Sequence, residues 1–410
     1  MYNKGNKNFN QALAILSTLF FIWGLITVLN FMMVEKFMVL FTIQNPYILN
    51  TSFFGAYLLV SYPAGKLIDK IGYKNSMVTG ILVSAVGCFI FCPSAAYQSY
   101  SLLLISLFVL GSGIAILQVS ANPYVALLGP RGLGASKLTF VQAFNSLGTF
   151  LAPLLAAGLF MKIAGFTEES LLLMPSEEKL QAIIDYVQMP YLILGIALII
   201  LALFISFSEI PILDTSEFKP LLLTETPPKK YLLQVPHIWM GALAIFLYVG
   251  SEVSIGQYLV NKSTNTASYD FLIRLYLGAA MMGRFLGWIL LRYIGPRKSI
   301  TLFSGSAILL LIIYFLFNTT AIGLTAIGLI GFSNSILFPC IFTLGIDGMG
   351  KYSEEASSIL NMAIIGGALL PFLFVSLPGT LGFLLPMLSY VFIIYYGLKG
   401  SKYLKRTNFY

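Results

Sequence analysis

Apolar stretches of about twenty residues, the length that crosses a ~30 Å hydrocarbon core, recur along this chain from its first tens of residues to its last. Nothing else restricts the possible folds so strongly. In lipid every backbone N–H and C=O must be satisfied internally, so such segments have to be helices packed into a bundle. The charge content agrees, since 10% of the 410 residues are Asp, Glu, Lys or Arg against ~25% in soluble domains. Twelve spans are expected: 11–34, 46–66, 75–94, 100–124, 138–162 and 188–208, then 236–260, 270–293, 299–317, 321–344, 355–377 and 379–399. The fold class is all-α and membrane-spanning, and the short loops make most neighbouring helices antiparallel.

Between Ser208 and Pro236 the chain turns polar, with Pro211, Pro220, Pro227, Pro228, Lys229 and Lys230. This divides it into a six-helix unit over 1–208, a linker over 209–235 and a second six-helix unit over 236–410. A net charge of +8 can signal nucleic acid, but here the basic residues fall on alternate loops, as the positive-inside rule requires. Lys4, Lys7, Lys70, Lys74, Arg131, Lys137, Arg297, Lys298, Lys351, Lys402, Lys405 and Arg406 share the linker's side. The 163–187 loop on the other side is acidic, with Glu168, Glu169, Glu177, Glu178 and Asp185 against Lys179. The basic side is therefore cytoplasmic and both termini lie there. The first apolar stretch is too long for a cleaved signal and lacks a small-residue cleavage site, so it is expected to remain as a helix.

The loop after the second span reads GKLIDKIGYK, residues 65–74. Gly65 allows two helices to approach closely, Asp69 can accept charge-assisted hydrogen bonds or face a helix N-terminus, and Gly72 permits a tight turn. Lys74 is expected to meet anionic lipid headgroups. This Gly-x3-Asp-x2-Gly-x-Lys spacing resembles the loop between the second and third membrane helices of the major facilitator superfamily. The resemblance implies two six-helix bundles and a loop that latches the cytoplasmic side. A degenerate second copy follows span eight, where Gly295-Pro296-Arg297 stands in the place of Gly72-Tyr73-Lys74.

Polar groups inside apolar helices mark function, because each has to find a partner there. Span one carries Trp23 and Asn30, span four Gln118 and Asn122 ahead of Pro123, and span five Gln142 and Asn145 on one helical face. Span seven carries Tyr248, Glu252 and Gln257, span ten Asn334, and span eleven Asn361. Amides both donate and accept, which suits a ligand covered in hydroxyls, and aromatic rings pack on the C–H face of a sugar. The competing reading is interhelical bridging, in which Asn and Gln join helices with no ligand at all. The cysteines, Cys88, Cys92 and Cys340, lack metal-type spacing and are read as packing residues. Among enzymatic possibilities no nucleophile–His pair, phosphate loop or metal cluster is present in the sequence, and no cofactor is implied.

The strings FFIWG…LN, ANPYVALLGP, QAFNSLGT, YVGSEVSIGQYLVN, GFSNSILFP, IFTLGIDGMG and MAIIGGALLP resemble the fucose:proton symporter family, nearest in pattern to its bacterial glucose/galactose transporters. The resemblance implies a bacterial inner-membrane carrier, monomeric, moving a monosaccharide by alternating access together with a proton. It also places the family's sugar-contacting amides at Gln142 and Asn145. Its two membrane acids fall on Phe31 and Gln118, neither of which can titrate. Three explanations follow. Glu252, deep in span seven where an isolated charge costs ~2.5–3.5 kcal/mol or more, carries the proton or pairs with Arg274 or Arg284; Glu35, one turn beyond Phe31, is a displaced surrogate; or coupling is to sodium or is lost, leaving a facilitator. Efflux of a small hydrophobic or siderophore-like compound, and a non-transporting membrane sensor, are the remaining alternatives.

Overall fold

The computed structural model describes residues 2–40, 47–129, 132–155, 176–211, 213, 235–263 and 267–405, and side chains of the first helix from Phe9 to Leu29. Every regular element among them is helical. Eleven described helices are long and apolar enough to cross a membrane, and the longest of them, Tyr47–Ala96, holds two spans. Its break is Gly72, with φ 78° and ψ 169°, a left-handed backbone that glycine enters without steric cost. Twelve spans result, as expected.

Three boundaries depart from the sequence reading. Span six begins at Ser176, so helix occupies part of the stretch assigned to the 163–187 loop. Span ten is broken, with Ala321–Asn334 and Leu337–Ile346 separated by two residues before Pro339, whose missing N–H cannot continue a helical ladder. Span eleven passes from Ser353–Met362 through a short 3-10 turn at Ala363–Ile365 to Gly366–Ser376.

Exterior and interior are both apolar. Leu59, Leu154, Ile200, Leu302, Leu316 and Leu388 are exposed on the outside, a surface that water would penalise and lipid tails accept. Helix association then depends on close packing and hydrogen bonds, not on burial from water. Spans one and five show how. A side chain at Gly24 would overlap the Asn145 backbone carbonyl and one at Gly148 would overlap that of Phe21, so both glycines are required for contact at this distance. Asn145 Nδ2 donates to the Phe20 carbonyl at 3.0 Å across the same seam.

The two halves repeat one device at their basic ends. Lys74 Nζ donates to the Ser206 carbonyl at 2.7 Å, at the end of span six. Arg297 Nη2 donates to the Ser401 carbonyl at 2.9 Å, just after span twelve. Each cation sits at the start of the third span of its half and holds the C-terminal end of the sixth, where carbonyl groups concentrate negative potential. Lys74 thus meets a helix end, whose unpaired carbonyls lie within its reach. His237, near the start of span seven, is fully buried.

Candidate functional site

The halves meet along two seams. In the first, span five faces span eight. Phe140 packs on Trp288 with ring centroids 4.6 Å apart, Phe144 on Phe285 at 5.9 Å, and Ser136 Oγ donates to the Trp288 carbonyl at 2.8 Å. One turn deeper lies Arg284, whose guanidinium joins three spans. It donates to Ser146 Oγ at 2.6 Å and the Gln142 carbonyl at 3.2 Å on span five, and to the Ser335 carbonyl at 3.1 Å where span ten breaks. Glu252 Oε1 on span seven lies 4.0 Å from Arg284 Nη2. The break in span ten frees the carbonyl that receives Arg284, so backbone irregularity and charge occur together, as they do where a helix lines a polar site.

Gln142 projects at this seam with 5% of its surface exposed, and its side-chain amide makes no hydrogen bond to any described residue. Asn145, one turn along, already spends its Nδ2 on Phe20. Of the pair singled out in the sequence, Gln142 is uncommitted and Asn145 is partly a bridge between helices. Arg284 and Ser146 complete the group. The sequence reading named Arg284 only as a counter-ion; an arginine inside a span was the available signal, because such a charge is retained only with partners.

In the second seam, spans two and four face span eleven. Tyr73 Oη donates to Glu354 Oε1 at 2.8 Å, and Ser357 Oγ donates to the Val119 carbonyl at 3.1 Å. A side chain at Gly65 would overlap Ser358 Oγ, so the close approach expected of this glycine is made to span eleven of the opposite half. Asp69 is exposed. Tyr73 figured in the sequence reading only as a position in the 65–74 loop, and Glu354 not at all, since a tyrosine in a loop and a glutamate at a helix start carry no signal alone.

Other singled-out residues fall elsewhere. Gln118 Nε2 donates to Tyr57 Oη at 2.8 Å between spans four and two. Asn122 is fully buried with neither amide atom bonded to a described residue. Asn361 donates to the Ser357 carbonyl at 2.8 Å while its Oδ1 stays unbonded. Asn334 is fully buried and consumed by tyrosines: it donates to Tyr276 Oη at 3.1 Å, accepts from Tyr390 Oη at 2.7 Å, and its carbonyl accepts from Tyr248 Oη at 3.1 Å. These bonds tie Asn334 and Tyr248 to other residues of the second half. Trp23 lines a small apolar cavity inside the first half with Ile81, Ile114 and Leu198, away from both seams. Gln257 is half-buried on span seven. The side chains of Asn30, Phe31 and Glu35 lie outside those described.

Residues 12–371 match the family model described as Major Facilitator Superfamily. The chain is 39% identical over 412 residues to the glucose/galactose transporter of Brucella abortus strain 2308, covering 97% of this chain and 95% of that one. It is 31% identical to the L-fucose-proton symporter of Escherichia coli K12, covering 87% and 84%. Among solved structures, a crystal structure of the major facilitator transporter FucP in the outward conformation superposes with a TM-score of 0.83 at 27% identity, covering 95% of this chain and 98% of that one.

Proposed function

The chain belongs to the major facilitator superfamily, and from that footing we propose that it is a secondary transporter of a neutral monosaccharide of the glucose, galactose or fucose class, driven inward by a proton. It is a transporter and not an enzyme. Relatives named for glucose/galactose transport and for fucose–proton symport align with most of its length, which supports the substrate class. The site observation that carries the reading is the seam of spans five and eight, where the uncommitted Gln142 amide stands beside Arg284 and Ser146. Buried donors and acceptors without protein partners are what a hydroxyl-rich ligand satisfies.

In this reading the units 1–208 and 236–410 rock about the sugar, with 209–235 as linker, and the Gly65–Lys74 end is the cytoplasmic side of a bacterial inner membrane, holding both termini. The Tyr73–Glu354 and Ser357–Val119 bonds tie that side shut and must break for release. The carrier acts as a monomer in lipid.

Coupling falls to Glu252. Gln118, at one position where the fucose:proton family has an acid, is neutral and bonded to Tyr57. Glu252 faces Arg284, with Tyr248 beside it, so gain or loss of its proton changes the net charge of a group that touches both halves. An uncoupled facilitator is the second reading, favoured by that same neutral Gln118.

The test is uptake of labelled galactose, glucose and fucose into liposomes, with and without an imposed proton gradient and again with sodium. Accumulation beyond equilibrium with protons is expected, and Glu252→Gln should abolish accumulation while sugar exchange persists at saturating sugar. Equilibration alone would establish a facilitator; absence of any sugar flux would refute the sugar reading.

A further inference from the structure

The Arg284–Glu252 pair stands at the outer limit of an ion pair. A charge-assisted N–H···O bond closes to about 2.7–2.9 Å, and the separation here is 4.0 Å. Meanwhile the same guanidinium makes a 2.6 Å bond to Ser146 and bonds of 3.1–3.2 Å to two carbonyls. The arginine is therefore well held, but by neutral acceptors, and its approach to the carboxylate stops short. Glu252 keeps 29% of its side-chain surface exposed and Arg284 11%, so the gap between them can be reached. A polar gap of this width between a donor and an acceptor is the distance that one bridging hydroxyl spans.

Resting on the sugar-transport reading above, we propose that Arg284 and Glu252 are the second half's part of the substrate site, and that one sugar hydroxyl seats between them, accepting from Arg284 and donating to Glu252. Gln142, on the span that Arg284 already grips through its carbonyl, supplies the first half's contact. The ligand is thus held from both halves at one point.

The arrangement also sets selectivity. A neutral hydroxyl satisfies both charges at once. A sugar acid meets Glu252 as a like charge, and an amino sugar meets Arg284 as one, so each is refused by electrostatics more than by shape. Specificity for uncharged sugars is then the work of this pair and not of the amides, which do not distinguish charge.

The test measures binding to the purified full-length chain in lipid nanodiscs by calorimetry, with galactose and galacturonate as probes. Wild type should bind galactose and refuse galacturonate. Glu252→Gln, which keeps the shape, should weaken galactose by about tenfold or more and admit galacturonate. Arg284→Lys, which keeps the charge but loses the planar fork, should weaken galactose similarly without admitting galacturonate. Size-exclusion profiles identify any variant that fails to fold, and the near-isosteric Glu252→Gln keeps the test decisive if Arg284→Lys does. If both variants bind galactose as wild type does while Gln142→Ala does not, or if Glu252→Gln still excludes galacturonate, the proposed site is overturned. If wild type binds no neutral hexose at all, the transport reading falls and takes this site with it.

Discussion

Single side chains differ in whether the fold already uses their polar atoms. Gln142 and Asn334 look alike in the sequence, each an amide in an apolar span. One makes no side-chain hydrogen bond to a described residue, and the other is bonded to Tyr276 and Tyr390. Tyrosine hydroxyls inside a bundle need partners too, and Asn334 is theirs. At the opposite seam, Tyr73 makes its bond to a carboxylate of the other half, a type worth about 1.5–3 kcal/mol. Tyr73→Phe should therefore weaken closure at the basic end. A single cysteine replacing Ser357, which is fully buried beside Val119, should be alkylated about tenfold faster in the Tyr73→Phe background; an unchanged rate would show that this bond does not hold the seam.

At the scale of helices, packing of small residues does what burial from water does in soluble proteins. Spans one and five approach until Gly24 and Gly148 have no room for a side chain, and this contact fixes the register that places Gln142 and Ser146 opposite Arg284. Gly148→Val should lower the melting temperature of the purified protein by several degrees and reduce sugar binding with it. Gly55→Ala, at a position with open space around it, should shift melting far less; equal losses from the two would count against the packing account. The broken tenth span has a similar role, since its interruption at Ser335 and Ile336 frees the carbonyl that takes Arg284. Its proline was visible in the sequence, but the break's use was not, because a proline does not announce which neighbour its freed carbonyl will serve.

For the molecule as a whole, two helical bundles connected at two seams form a device that can open at either end. A Cβ built at Gly65 would lie 3.4 Å from Ser358 Cβ, close to the ~3.5–4.5 Å that a disulfide needs. Gly65→Cys with Ser358→Cys, in a background freed of Cys88, Cys92 and Cys340, should crosslink on oxidation, stop sugar flux and recover it on reduction. Full flux through the crosslinked protein would mean that this seam need not part during transport. The same cation-to-helix-end bond, Lys74 to Ser206 and Arg297 to Ser401, ties the third span of each half to the end of its sixth.

The number of spans and the glycine turn after the second one could be read from the residues in order, because both rest on one-dimensional quantities: the length of an apolar run against the thickness of a bilayer, and the local spacing of glycines and charges. So could the list of polar positions worth suspecting. Which of them face one another could not. Gln142, Glu252, Arg284 and Ser335 come from four helices in both halves, and their meeting depends on the rotation and depth of each helix against its neighbours. That register is set by many weak contacts, glycines in particular, whose effect appears only when the chain is folded. The tertiary structure decided that Arg284 joins the halves and that Asn334 is bonded to tyrosines of its own half.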